Sequence, residues 1–150
     1  MKKLIVFSLF LHLSITLNAQ TAVDSVKMTI NQFFEGMKKG DSSLIRNTLT
    51  EGVIFQTIAR TLEGGLTVRT ENVNDFLKFI ASPKKAIPDE RITFETIKID
   101  GALASVWTPY KFYMGEQFSH CGANSFQLVK TDGSWKIQYI IDTRRRQECD

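Results

Sequence analysis

The sequence predicts an α+β domain in which a strongly curved antiparallel sheet packs on three helices from the N-terminal half. Three observations carry this. Between residues 21 and 39, apolar residues recur at three- and four-residue steps, the period of one helix face. From Arg91 onward, β-branched and aromatic runs alternate with short glycine-containing turns at hairpin spacing. Helical patterns come first and the long strands last, the order expected when helices cover one face of an antiparallel sheet.

The first twenty residues read MKKLIVFSLFLHLSITLNAQ. Lys2 and Lys3 precede an apolar run over residues 4–17, and Ala19 supplies a small residue for cleavage. This is the layout of a secretory signal peptide, and the run is short for a membrane span. The expectation is a signal peptide over residues 1–19, a single mature domain over 20–150, a periplasmic location and no membrane attachment after cleavage. No cysteine follows the apolar run, so lipid attachment is not expected. Removing Lys2 and Lys3 with no acid takes the formal net charge from +3 to +1. So weak a charge argues against nucleic acid as a partner, because such binding needs many phosphate contacts.

The stripe Val23, Val26, Ile30, Phe33, Phe34 and Met37 predicts a helix over residues 21–39, with Thr21 or Asp24 as cap and Gly40 as stop. Asp41 or Ser42 caps a short helix over 43–49. Residues 53–61 form a strand that turns at Gly64-Gly65 and pairs back through 66–69. The glycine pair lacks the lysine and following helix of a phosphate loop, so it reads as a turn. Thr70 caps a helix in which Val73, Phe76, Leu77 and Ile80 share a face, ending at Ser82-Pro83. Residues 84–90 read as a polar connection. Strands then cover 91–99, 103–114, 118–130 and 135–143. Their turns are Asp100-Gly101, Gly115-Glu116 and Asp132-Gly133. Asp-Gly between apolar runs is a strong hairpin signal, since both central residues of a type I′ turn need φ > 0.

The last hairpin assigns faces. A two-residue loop at Asp132-Gly133 sets Ile137 opposite Leu128, Tyr139 opposite Phe126 and Ile141 opposite Asn124. That apolar face should be the core face, and it carries His120 and Asn124 at its end. Polar groups ending an apolar face suggest a cavity mouth. Asp142 and Arg144 fall on the other face, where pairing with Arg144, Arg60 or Arg69 is the economical role for the carboxylate. A β-bulge would reverse these assignments. Tyr110 and Phe112 line the cavity, and Trp107 faces out, if the Gly115 loop holds an odd number of residues; an even loop exchanges these roles. Cys121 falls opposite Arg144, so the tail would have to fold back for Cys149 to reach it. The expectation is a half-buried Cys121 and a free tail thiol.

The ending SFQLVKTDGSWKIQYIIDT, with its aliphatic strand, Gly-containing turn, Trp and aliphatic residue two positions on, resembles the nuclear transport factor 2-like superfamily. These domains are also called SnoaL-like or cystatin-like, and some exported bacterial members carry a "putative lumazine-binding" label. The opening helix followed by GDSSLIRNTL resembles the same family, and the likeness covers residues 21–146. It implies a cone-shaped sheet with a cavity and, in many members, a homodimer through the outer sheet face. Val129, Ile140 and Trp107 are the apolar residues expected there. The scaffold hosts isomerases, dehydratases and non-catalytic binders, so the resemblance leaves function open. Dehydratase-like members use a His pair, and only His120 survives signal removal. Isomerase-like members use an Asp base with a Tyr and a second acid, and that set does not map onto matching positions here.

His120 is a candidate ligand-binding group or proton shuttle; its alternative is a buried imidazole satisfied by backbone or Asn124. Asn124, Tyr110, Phe112 and Tyr139 are the other candidate ligand contacts. One histidine falls short of a three-ligand metal site, and no cofactor is expected. Three functions remain: an exported, non-catalytic binder of a small apolar or aromatic molecule; an isomerase- or dehydratase-type enzyme using His120; or an envelope interaction module acting through the outer sheet face. A cavity holding His120 beside a second ionisable group favours the enzyme. His120 alone in the cavity favours the binder, and a filled core favours the interaction module.

Overall fold

A computed structural model describes the backbone of residues 2–149 and the side chains of residues 21–149. The elements are α1 (Lys2–Lys39), α2 (Ser42–Arg46), β1 (Leu49–Arg60), β2 (Leu66–Glu71), α3 (Val73–Ala81), β3 (Pro88–Ile92), β4 (Thr96–Asp100), β5 (Leu103–Met114), β6 (Gln117–Thr131) and β7 (Ser134–Thr143). Helices packed on a curved, unclosed sheet make this the expected α+β architecture. The predicted first helix forms the last part of α1, which runs through Thr21 and Asp24, so neither residue caps it. The expected cut after Ala19 lies outside the residues whose side chains are described. Among the described residues, no helix is long and apolar enough to cross a membrane.

The sheet has seven strands in the order β2-β1-β7-β6-β5-β3, and β4 also pairs with β5. It is mixed rather than wholly antiparallel, because β1 and β7 run parallel. No hairpin joins these two strands, so nothing forces opposite directions. The strand expected over 91–99 is divided: β3 pairs with Tyr110–Met114 and β4 with Leu103–Trp107. Pro109 explains the break. The Thr93 amide donates to the Pro109 carbonyl at 2.9 Å, but proline has no N–H to return. β3 begins inside the stretch read as a polar connection, and this moves Glu90 into the sheet.

Local capping sets the short helices. Asp41 Oδ1 accepts from the Leu44 amide at 2.9 Å and starts α2. Asn72, not Thr70, caps α3 by accepting from the Asp75 amide at 3.1 Å. Thr70 stays in β2, paired with Gln56. Val26, Ile30, Phe33 and Met37 on α1 are buried with Val106, Phe126, Leu128 and Ile137 of the sheet. A Cβ on Gly36 would stand 2.6 Å from Ile45 Cγ1, so only glycine lets α2 lie this close to α1.

Two β-bulges decide which side chains face the helices. The Gly115-Glu116 loop has two residues, but Ser119 is an extra residue in β6: Met114 pairs with Gln117, while Phe112 pairs with His120. The bulge therefore produces the odd-loop arrangement, with Tyr110 and Phe112 on the His120 side and Trp107 outside. The second bulge is Gln138: Leu128 pairs with Ile137, but Gln127 pairs with Tyr139. Beyond it, Ile140 opposes Phe126 and Asp142 opposes Asn124, replacing the expected Tyr139 and Ile141. Ile140 and Asp142 consequently turn inward, while Tyr139 and Ile141 turn outward.

The free-thiol expectation is overturned, because Cys121 and Cys149 form a disulfide with 5.7 Å between their Cα atoms. The Gln138 bulge brings Arg145, not Arg144, opposite Cys121, with backbone bonds of 2.9 and 2.8 Å. Glu148, at φ 53°, then turns the tail back.

Phe33 is buried and meets Phe34, Phe55, Phe76 and Phe126 ring to ring, whereas Phe34 is only partly buried. Phe33→Ala is expected to cost about 3–5 kcal/mol in urea unfolding, the range for an aromatic removed from a closed core. A loss below about 1 kcal/mol would contradict this packing.

Candidate functional site

A cavity of about 510 Å³ opens between the helices and the inner face of the sheet. Its size suits a small molecule. Phe33, Phe34, Phe76, Phe112 and Phe126 supply apolar walls. Glu90, His120, Asn124, Asp142 and Arg144 gather at a polar end, and Glu71 and Asp75 also line the cavity.

Each polar group arrives by its strand register. Asn124 is only 5% exposed and faces in from β6. Its Nδ2 donates to Glu90 Oε1 at 2.8 Å and, more weakly, to Thr108 Oγ1 at 3.4 Å. Asp142 comes from β7 beyond the bulge. Tyr110, buried behind the cavity surface, donates to the Thr143 carbonyl at 2.8 Å and lies 3.2 Å from Asp142 Oδ2. Arg144 Nε bonds the same Asp142 oxygen at 2.8 Å. This crossing needs Gly122, since a Cβ there would stand 1.8 Å from the Thr143 oxygen. His120 is held by rings, 4.8 Å from Phe112 and 5.8 Å from Tyr110 between centroids. Its Nδ1 lies 3.0 Å from Oγ of the bulge residue Ser119.

The electrostatics follow from this enclosure. Burial pushes the Glu90 carboxyl up to about 7; the Asn124 hydrogen bond opposes the shift, neighbouring Asp142 adds to it and Arg144 reduces it. Glu90 is partly exposed as a residue, yet its carboxyl is enclosed by the cavity walls. Burial lowers the His120 pKa, and Arg144 lowers it further against the pull of Asp142, so the imidazole is mostly neutral at pH 7. Burial, with Glu90 and Asp142 nearby, raises the Tyr110 pKa and keeps the phenol a donor. Burial opposes the Arg144 charge, but the hydrogen bond and attraction of Asp142 outweigh it and raise its pKa.

Of the residues singled out from sequence, His120, Asn124 and Phe112 line the cavity. Tyr110 supports it from behind through Asp142. Tyr139 does not reach it: the Gln138 bulge puts it on the outer face, where its hydroxyl donates to Gln56 Oε1 at 2.6 Å. Asp142 pairs with Arg144, one of its three candidate partners, but on the inner face. The sequence does not flag Glu90, because residues 88–90 at the start of β3 read as a connection. Three consecutive charged residues, Asp89-Glu90-Arg91, give no period-2 alternation, so no local signal marks this strand. Among the described residues, no group of three or more His, Cys, Asp or Glu side chains could hold a metal ion.

Folding favours the protonated form of Glu90, whose carboxyl titrates near 7 against an ordinary 4.5. That contribution is complete below pH 4.5 and is lost as pH rises through 7. The stability of the wild type relative to Glu90→Gln should therefore fall by up to about 3 kcal/mol between acid and mildly alkaline pH, as read by urea unfolding. A difference independent of pH would contradict the burial of this carboxyl.

Comparison with known proteins places the architecture. A structure described as an NTF2-like protein of unknown function from Shewanella baltica superposes with TM-score 0.66 at 18% identity, covering 85% of this chain and 96% of that one. A cystatin-like-fold protein from Novosphingobium aromaticivorans gives 0.71 at 10% identity, covering 91% and 90%. A "putative dehydratase" of the NTF2-like family from Streptomyces avermitilis gives 0.66 at 16% identity, covering 85% and 98%. No curated protein matches the sequence. The family described as "Putative lumazine-binding" matches residues 21–139. This chain belongs to that family, and its curved sheet and helices share the NTF2-like, cystatin-like fold of these solved structures.

Proposed function

We propose that the protein binds a small, partly apolar molecule in the cavity, with the polar part of the ligand against Glu90, Asn124 and His120. The observation that carries this reading is the carboxyl–amide pair Glu90–Asn124 standing at the end of a phenylalanine-walled cavity. Such a layout orients a ligand by few polar contacts and holds it by apolar area. The family description and the dehydratase-titled neighbour support a ligand-binding scaffold. The mature domain starts at Gln20 and works in the periplasm; the support is the Lys2-Lys3, apolar-run and Ala19 pattern.

The cavity holds His120 together with Glu90 and Asp142, the arrangement set out above as favouring an enzyme, so a second reading is acid–base catalysis of the isomerase or dehydratase kind. Glu90, held near 7, stands close to Asp142, which is paired with Arg144. Unequal environments divide acid and base roles between two carboxyls. Glu90 then carries the proton, and His120 and Asn124 position the substrate.

The domain pairs with a second copy through its outer sheet face. Trp107 is 42% exposed there, and partly buried Val129 and Ile141 share the face. Ile140, expected among them, is in the core. Light scattering at micromolar concentration should give twice the mature mass, and Trp107→Lys should shift it toward monomer. A wild-type monomer would overturn the pairing.

Native mass spectrometry of protein purified from cells should reveal a copurified small molecule. His120→Ala should weaken its binding in calorimetry by about 0.5–3 kcal/mol, one hydrogen bond, while leaving the thermal melt largely unchanged. Unchanged binding with a collapsed melt would make His120 structural. Turnover with a pH limb near 7 that disappears in Glu90→Gln would establish the catalytic reading.

A further inference from the structure

The hydrogen bonds and charges at the polar end of the cavity specify what kind of ligand fits, given that the cavity binds one. Asn124 Nδ2 is turned on Glu90 and Thr108. The Tyr110 hydroxyl is turned on Thr143 and Asp142, and Arg144 Nε on Asp142. No described residue donates a hydrogen bond to Asn124 Oδ1 or to the second Glu90 oxygen, and both residues line the cavity. Among the described residues the terminal nitrogens of Arg144 and His120 Nε2 also have no hydrogen-bond partner, so donors and acceptors are both left over and the charge balance decides between them. We infer that the ligand is a nitrogen base, an amine, amidine or protonated ring nitrogen on an apolar body, and not a carboxylate or phosphate.

Charge favours the cation. Four carboxyl side chains, Glu71, Asp75, Glu90 and Asp142, line the cavity against one guanidinium, Arg144, which is already paired with Asp142. Glu71 and Asp75 have outer partners in Arg69 and Lys78, so the inner balance lies between Glu90, Asp142 and Arg144. With Glu90 ionised, that balance is negative. An anion would have to lie beside two carboxylates, whereas a cation supplies the counter-charge that the buried Glu90 lacks. Ring faces of the phenylalanine walls add cation–π attraction for the same kind of ligand.

Glu90 also gives the binding a signature. A bound cation favours the carboxylate, so it must displace the proton that Glu90 holds up to pH of about 7. Asp142 and Arg144 from the end of β7, His120 from β6, Glu71 from β2 and Asp75 from α3 are the other charged or titratable groups facing this cavity. His120 gains charge only as pH falls, which repels a cation and works in the same direction.

Benzamidine, benzyl alcohol and benzoate share one ring and differ in charge, and calorimetry on the mature chain can compare them. Benzamidine should bind at least about tenfold tighter than either of the others at pH 8. Its affinity should rise about tenfold between pH 6 and pH 8, following the ionised fraction of Glu90. Glu90→Gln should remove that rise and weaken benzamidine about tenfold or more, yet leave benzyl alcohol within about twofold. Benzoate binding tightest, or a benzamidine affinity independent of pH in the wild type, overturns the inference and leaves the binding reading standing. Failure of all three probes overturns both. The wild-type pH series decides even where the Glu90 variant folds poorly.

Discussion

The close passage of Thr143 over Gly122 is the constraint on which the functional end of this domain depends. With no side chain at Gly122, the last carbonyl of β7 reaches the Tyr110 hydroxyl. Tyr110 and Arg144 then hold Asp142, which the Gln138 bulge has already turned inward. The close passage also starts the backbone pairing of Arg145 with Cys121, which ends in the disulfide to Cys149. Closing a loop of 28 residues contributes about 3–4 kcal/mol in a chain-entropy account, so the tail is anchored at both of its ends. A side chain at position 122 would separate β7 from β6 where the polar groups converge.

The site is a compromise between packing and polarity. Phe33, Phe55, Phe76 and Phe126 form a continuous set of edge and stacked contacts around α1 and α3. They make one wall of the cavity apolar. The same apolar surroundings penalise any charge placed among them. Asp142 meets that cost with Tyr110 and Arg144. Glu90 has Asn124 alone, and burial therefore raises its pKa to about 7.

Much of this was legible along the chain. The stripe Val26, Ile30, Phe33, Met37 has a helical period, and burial of that face needs no further information. Strands 103–114 and 135–143, the Asp132-Gly133 turn and the inward set His120, Asn124, Phe126 and Leu128 follow from alternation and turn chemistry. These are local properties, decided within a few residues, and tertiary contacts reinforced them.

The sequence by itself determined the fold class, the order of the elements apart from the divided strand over 91–99, and one face of β6. Only the tertiary structure decided the composition of the cavity. Ser119 and Gln138 are ordinary strand residues, and nothing in their neighbourhood marks them as extra. Each is left unpaired because distant contacts demand it: Phe112 and Tyr110 must meet His120, and Ile140 must fill the core that Tyr139 could not enter. A one-residue shift turns every later side chain to the opposite face, so the Ser119 bulge put Tyr110 and Phe112 on the His120 side, and the Gln138 bulge brought Asp142 in and sent Tyr139 out. Glu90, the parallel β1–β7 pair and the disulfide are likewise long-range outcomes. They depend on where the chain returns, which alternation along a single strand does not encode.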